Sequence, residues 1–328
     1  MKTFPVKKTV ILGCKLAVTL VLLAVALCTV HIDTLAASLR GADIGPMLAA
    51  ALLLVLGGFA GAASWFCILR LRLPGLRFRD AAVCHWIGMF FNSFLPSNVG
   101  GDAVKGWLVS RAASGAQPEG RVGFIVVSLL LDRVVNLAML LGIGCFALSL
   151  ERLGWPAAIG FLGLCALVVM AAMAFSRRTR CADLAQDADE PETPPRRWKL
   201  LLRSLAADLL ALAGEPRRLF PLLLAAFASQ LLKTGSNVFV VLALGLKMPL
   251  FCVWYVIPLF GVVSALPVSI GGLGVREMVA SAVAEPLQID NTHLVALSLA
   301  GHMLTVLVNL LGALPLMFKG IRRASGGS

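Results

Sequence analysis

Charge is what this sequence has least of. Aspartate, glutamate, lysine and arginine make 14% of its 328 residues, hydrophobic types make 59%, and mean hydropathy is +0.89. A water-soluble chain of this length needs far more polar surface, so that class is excluded. Several apolar runs reach the roughly 20 residues that a helix needs to cross a bilayer. The fold class is an all-α polytopic membrane protein. Acids are the scarcer sign, 17 against 29 Lys and Arg, for a net charge of +12. On a soluble protein that excess would raise nucleic acid. Here most basic residues flank apolar runs, the pattern of membrane topology, and no nucleic-acid partner is expected. Attraction to anionic lipid is the secondary reading.

Other absences narrow the chemistry. The eight cysteines show no CxxC or Cys/His metal spacing, and all but Cys181 lie in or beside apolar runs. They read as small packing residues, and no metal is expected. Gly272-Leu273-Gly274 lacks the strand-to-helix context of a dinucleotide site. No nucleophile and base stand at a recognisable spacing, so no cofactor and no enzymatic activity are expected. The first apolar run follows Lys2, Lys7 and Lys8 but is too long for a signal-peptide core and lacks a clear A-x-A site. A retained first span is expected.

What the chain has instead is a repeat. Leu95-Pro96-Ser97-Asn98-Val99-Gly100-Gly101-Asp102-Ala103-Val104-Lys105 recurs, without a gap, as Leu266-Pro267-Val268-Ser269-Ile270-Gly271-Gly272-Leu273-Gly274-Val275-Arg276. The offset is 171 residues, and Ser93 matches Ser264 just upstream. Proline and paired glycines break helices, and symmetric breaks in an apolar chain mark discontinuous helices around a binding site.

Six long spans are predicted, at about 9–30, 46–69, 122–150, 154–175, 219–245 and 292–318. The repeated motif falls in two further stretches, about 81–112 and 249–286. Each first arm has about 15 residues, roughly 22 Å of helix, which is short of the roughly 30 Å hydrocarbon core. Each stretch is therefore either one broken crossing or a re-entrant hairpin. Charge favours hairpins. With the N-terminus in the cytoplasm and both stretches folded back, the outside carries only Arg40, Arg152 and Lys247. With both crossing fully, nine basic residues between Arg177 and Arg218 would face outside, against the positive-inside bias. Residues 1–150 then form one repeat and 151–328 a second of opposite orientation. Both termini are cytoplasmic. Between them, 183–195 reads as a flexible linker and Arg196–Ala213 as an amphipathic helix on the cytoplasmic leaflet.

The breaks carry the candidate site. A helix that starts inside the membrane offers free N–H groups and a positive dipole end to an anion. Lys105 and Arg276 lie about a turn beyond each break, Asn98, Ser97 and Ser269 lie at it, and Gly100, Gly101, Gly271 and Gly272 let backbone approach a ligand. Asp102 is expected to cap the second arm, and Glu277 falls in the first turn of its helix. Asn92 and Ser93 stand just ahead of the first break. Polar residues also recur at helical spacing within spans: Ser128, Asp132 and Asn136; Gln230, Lys233 and Asn237; Ser298, His302, Thr305 and Asn309. Asp132 reads as an ion-pair partner of Arg133 or Lys233. Lys233, a lone cation near mid-span, reads as a substrate contact. His302 reads as a packing residue or a proton relay.

Asn92-Ser93-Phe94-Leu95-Pro96 with Gly100-Gly101-Asp102, Leu131-Asp132-Arg133, and Leu266 to Glu277 resemble the lysylphosphatidylglycerol synthase transmembrane-region family. That is the flippase-like domain of the multiple peptide resistance factor, which also occurs as stand-alone proteins. The resemblance implies movement of a lipid or lipid-linked group between leaflets of a bacterial inner membrane. Its partners would be membrane lipids with an anionic head group. Lipid synthesis is not implied, because in the two-part proteins it belongs to a separate soluble domain. Two other roles stay open here: an intramembrane transferase acting on a polyprenyl-phosphate or phospholipid, and a non-transporting partner of a synthase. A homo-oligomer is compatible with each.

Overall fold

A computed structural model describes residues 40–94, 98–112, 121–156, 158–160, 163, 215–265 and 273–316. The first span, most of 154–175, most of the loop 176–218, and Ser97, Ser269, Gly271 and Gly272 lie outside the described residues, as does the side chain of Asn98. The described residues are helical: α1 Ile44–Leu69, α2 Phe78–Phe94, α3 Asn98–Ala112, α4 Arg121–Arg152, α5 Pro216–Ala243, α6 Val253–Ala265, α7 Val275–Ala284 and α8 Asn291–Asn309. Among the described residues, four stretches are long and apolar enough to cross a membrane: Ile44–Leu69, Gly123–Arg152, Pro216–Ala243 and Asn291–Leu316. They coincide with four of the expected spans.

Local chemistry sets these helices. Asp43 caps α1, accepting from the Gly45 amide at 2.9 Å, and Asp290 caps α8, accepting from Thr292 at 2.7 Å. α5 opens on Pro216, whose missing N–H costs nothing in a first turn. Along α1, Ile44, Leu48, Leu52 and Leu56 recur every fourth residue and are exposed, a stripe suited to lipid. The other face is lined by small residues, Gly57, Gly58, Gly61 and Ala62, and buries Trp65. Small residues let helix backbones approach, which in a bilayer replaces the missing hydrophobic drive. α1 packs most extensively on α5, and the two run antiparallel. The Asp43 amide meets the Ala243 carbonyl at 2.7 Å at one end, and Ser229 donates to the Gly57 carbonyl at 2.8 Å further in.

The two broken pairs differ in which end of this frame they touch. α2 doubles back along α3. Phe66 and Phe78 meet edge to face at 5.5 Å, and Val109 near the end of α3 packs with Trp65, Leu69, Leu73, Leu76 and Ala81. Both outer ends of the α2–α3 pair therefore sit at the C-terminal end of α1. Val253 at the start of α6 and Ala284 at the end of α7 instead pack with Ala50, Leu244 and Leu294, at the opposite end of α1. The pairs enter the bundle from opposite ends.

Close contact of α2 with α3 depends on glycine. A Cβ on Gly101 would press into the Gly88 carbonyl and the Asn92 side chain. The Gly101 amide donates to Asn92 Oδ1 at 3.0 Å, so the end of α2 is tied to the first turn of α3. This corrects one expectation. α3 begins at Asn98, so Asp102 lies inside the helix and does not cap it.

Gly101→Ala is expected to lower the thermal midpoint of the purified protein in detergent, by an amount corresponding to about 1–3 kcal/mol of overpacking. Gly142→Ala, where a Cβ meets nothing within 4 Å, should leave the midpoint unchanged or raise it. Equal midpoints for the two variants would contradict the packing described.

Candidate functional site

The cation that follows each break turns toward the next long helix, but the two find different partners. In the first copy, Lys105 Nζ donates to Asp132 Oδ2 of α4 at 3.0 Å. The lysine is 4% and the aspartate 8% exposed. The ammonium also lies 3.9 Å from the centroid of Trp65, a cation–π contact. A turn away, Arg133 Nε donates to Asp102 at 2.6 Å. The expected pairing of Asp132 with Arg133 or Lys233 is thus corrected. Antiparallel packing of α3 on α4 sets Lys105 opposite Asp132, while Arg133, the next residue around α4, reaches Asp102 instead.

In the second copy, Arg276 Nη1 donates to His302 Nδ1 of α8 at 3.2 Å. Arginine has no acceptor, so His302 takes this bond through a ring-nitrogen lone pair, in the tautomer with its proton on Nε2. The guanidinium also lies 5.7 Å from the Phe260 centroid, and its Nε has no partner among the described residues. The neighbouring carboxylate attracts it through space but makes no ion pair with it among the described residues. Glu277 is fully buried and is committed elsewhere, accepting from the Gly274 amide at 2.6 Å and from Ser298 Oγ at 2.8 Å. It fixes the entry of α7, where Gly274 at φ +81° takes a backbone form that disfavours side chains.

Arg276 faces a cavity of about 240 Å³ in the middle of the bundle. Lys233 and Gln230 of α5, Ser264 of α6, and Thr305 and Asn309 of α8 line it too, with Thr234, Asn237 and apolar residues from α1, α2, α4 and α6. Among the described residues, two cations line this cavity and no carboxylate does. No ion pair of Lys233 or Arg276 occurs among the described residues. The stem of Lys233 reaches the cavity past Gly57 of α1, where a Cβ would lie 3.0 Å from its Cγ. The first hairpin reaches the cavity at its tip: Met89 lines it, and Ser93 accepts from Asn309 Nδ2 at 2.9 Å.

Of the candidate residues read from the sequence, Lys233 and Arg276 come together in the cavity. Lys105, Asp132, Asp102 and Arg133 form the charge cluster between α3 and α4 and do not line it. Gly100 and Gly101 lie in the first turn of α3. Asn92, Ser93 and Glu277 hold backbone and neighbouring side chains, and His302 positions Arg276. Gln230, Asn237, Thr305 and Asn309 were visible only as stripes at helical spacing, and that periodicity is the signal that puts them on the inner face.

These features define a polytopic helical membrane protein with paired broken helices around a cation-lined cavity. The sequence profile of the lysylphosphatidylglycerol synthase transmembrane-region family matches residues 10–312, and the chain belongs to that family. No curated protein and no solved structure matches it.

Asp132→Asn leaves Lys105 buried without its carboxylate, which costs about 3–5 kcal/mol. The expected outcome is a clear drop in thermal midpoint and in the monodisperse fraction in detergent. Lys105→Met added to Asp132→Asn should restore much of the loss. A double variant no better than Asp132→Asn alone would show that the pair is not what holds α3 to α4.

Proposed function

We propose that the protein moves a lipid with an anionic head group between the leaflets of a bacterial inner membrane. The observation that supports this reading most is the cavity holding Lys233 and Arg276 with no carboxylate in its lining among the described residues. A cation inside a membrane without an ion-pair partner is costly and normally answers to a ligand or a cavity. A phosphate between the two would supply that partner, leaving the tails in the bilayer. In this reading α2–α3 and α6–α7 are re-entrant hairpins from opposite leaflets, and residues 1–150 and 151–328 are inverted repeats with both termini cytoplasmic. Alternating access then follows from rocking one repeat against the other. The substrate crosses unchanged, since no nucleophile stands beside a base in the cavity lining.

Lys233→Met and Arg276→Gln should each reduce translocation of a tail-labelled anionic lipid in proteoliposomes at least tenfold. Their elution and melting profiles should stay close to those of the parent. Lys105→Met is expected to differ from both, losing stability first. Undiminished translocation in the Lys233 and Arg276 variants would sink the assignment of the cavity.

A further inference from the structure

A second space adjoins the cavity. Between α4, α5 and the start of α6 runs a groove of about 590 Å³, within the roughly 300–1,000 Å³ of small-molecule sites. Met139, Gly142 and Phe146 of α4, Phe227 and Leu231 of α5, and Trp254 of α6 line it. Among the described residues, no charged side chain does. The rim is open, with Phe227 43% and Leu231 38% exposed, and Ile143 and Ala147 form a buried floor. At Gly142 a Cβ would meet nothing within 4 Å, so α4 leaves the space unfilled there.

Groove and cavity use neighbouring faces of the same helices. On α4, Met139 lines the groove and Leu140 the cavity. On α5, Leu231 lines the groove and Gln230 the cavity. On α6, Trp254 lines the groove and Ile257, about a turn on, the cavity. Successive helical residues point about 100° apart, so the pairs on α4 and α5 straddle one seam. Two contacts close it. Asn136 of α4 accepts from Gln230 Nε2 of α5 at 2.8 Å, and Leu140 packs on Gly261 of α6, where a Cβ would lie 2.5 Å from its Cδ2.

Any hydrocarbon suits such a lining. Bulk lipid is as apolar as the groove, so no hydrophobic drive favours one tail over another. Linkage does. A tail joined to a head group already held at Lys233 and Arg276 meets the groove at high effective concentration. Resting on the lipid-translocation reading above, we infer that the groove between α4 and α5 seats an acyl tail of the lipid whose head group enters the cavity. The glycerol that joins them passes the seam beside Gln230.

The test uses the full chain in phosphatidylcholine proteoliposomes with traces of phosphatidylglycerol that carries a photoactivatable diazirine in its tail. Adducts are mapped by mass spectrometry. Labelling at Met139, Phe227 and Trp254 should exceed that at Leu48 and Leu52, on the exposed stripe of α1, at least about tenfold, a small part of what linkage can give. Lys233→Met should remove this excess and leave labelling of the stripe unchanged. Gly142→Phe fills the groove from a position with free space and should keep the parent's melting profile. It should slow long-tailed phosphatidylglycerol at least about fivefold and leave a short-tailed form within about twofold of the parent. Equal labelling of groove and stripe, or an excess that survives Lys233→Met, would show ordinary boundary lipid in the groove. Either result, or undiminished long-tail transport in Gly142→Phe, overturns this inference while lipid translocation stands. If phosphatidylglycerol crosses no faster than in protein-free vesicles, the translocation reading falls and takes this inference with it.

Discussion

Positive charge inside the bundle is the constraint on which the rest depends. Lys105, Arg133, Lys233 and Arg276 all belong to helices of the membrane-embedded frame, and each must be answered by an acid, an aromatic face or a ligand. Beside the first motif copy the cations are answered: Asp132 meets Lys105, Trp65 lies beside the same ammonium, and Asp102 meets Arg133. The second copy differs. Its carboxylate, Glu277, serves the Gly274 amide and Ser298, and Arg276 leans on a histidine and a phenyl ring. Net positive charge therefore gathers beside the cavity that Lys233 enters from α5.

The same asymmetry divides stability from binding. A buried ion pair adds little over an apolar pair but is expensive to break from one side. The Lys105–Asp132 contact fits that role, because it ties the short arm α3 to the long helix α4. Gly88 and Gly101 do the complementary work within the hairpin, letting α2 and α3 approach closely while Asn92 takes up a first-turn amide. With the first hairpin held in this way, its tip can support Asn309 through Ser93 without offering a charge of its own. The two copies of one motif thus carry different loads: one locks a hairpin, the other presents a cation.

Much of this was legible in the sequence. Four spans follow from apolar run length, and the helix ends beside the two motif copies from their Pro-Gly content. Lys233 and Arg276 were legible as intramembrane cations. The division of labour between Lys105 and Arg276 was not, because a gapless alignment gives both the same place and type. It depends on what each meets across a helix interface, Asp132 at 27 residues' distance and His302 at 26, and similar spacing conceals dissimilar chemistry. Asp102 misled for a related reason. Aspartate after paired glycines is a good capping pattern, but α3 starts before the glycines, and the side chain goes to Arg133.

The orientation of one amide in the cavity has its origin outside the cavity. Asp132 is bonded to Lys105 through one oxygen and to Asn136 through the other, and Asn136 in turn fixes Gln230. The carboxylate that neutralises Lys105 thereby orients an amide that lines the cavity. This chain of hydrogen bonds crosses from α3 through α4 to α5, each bond with a defined direction.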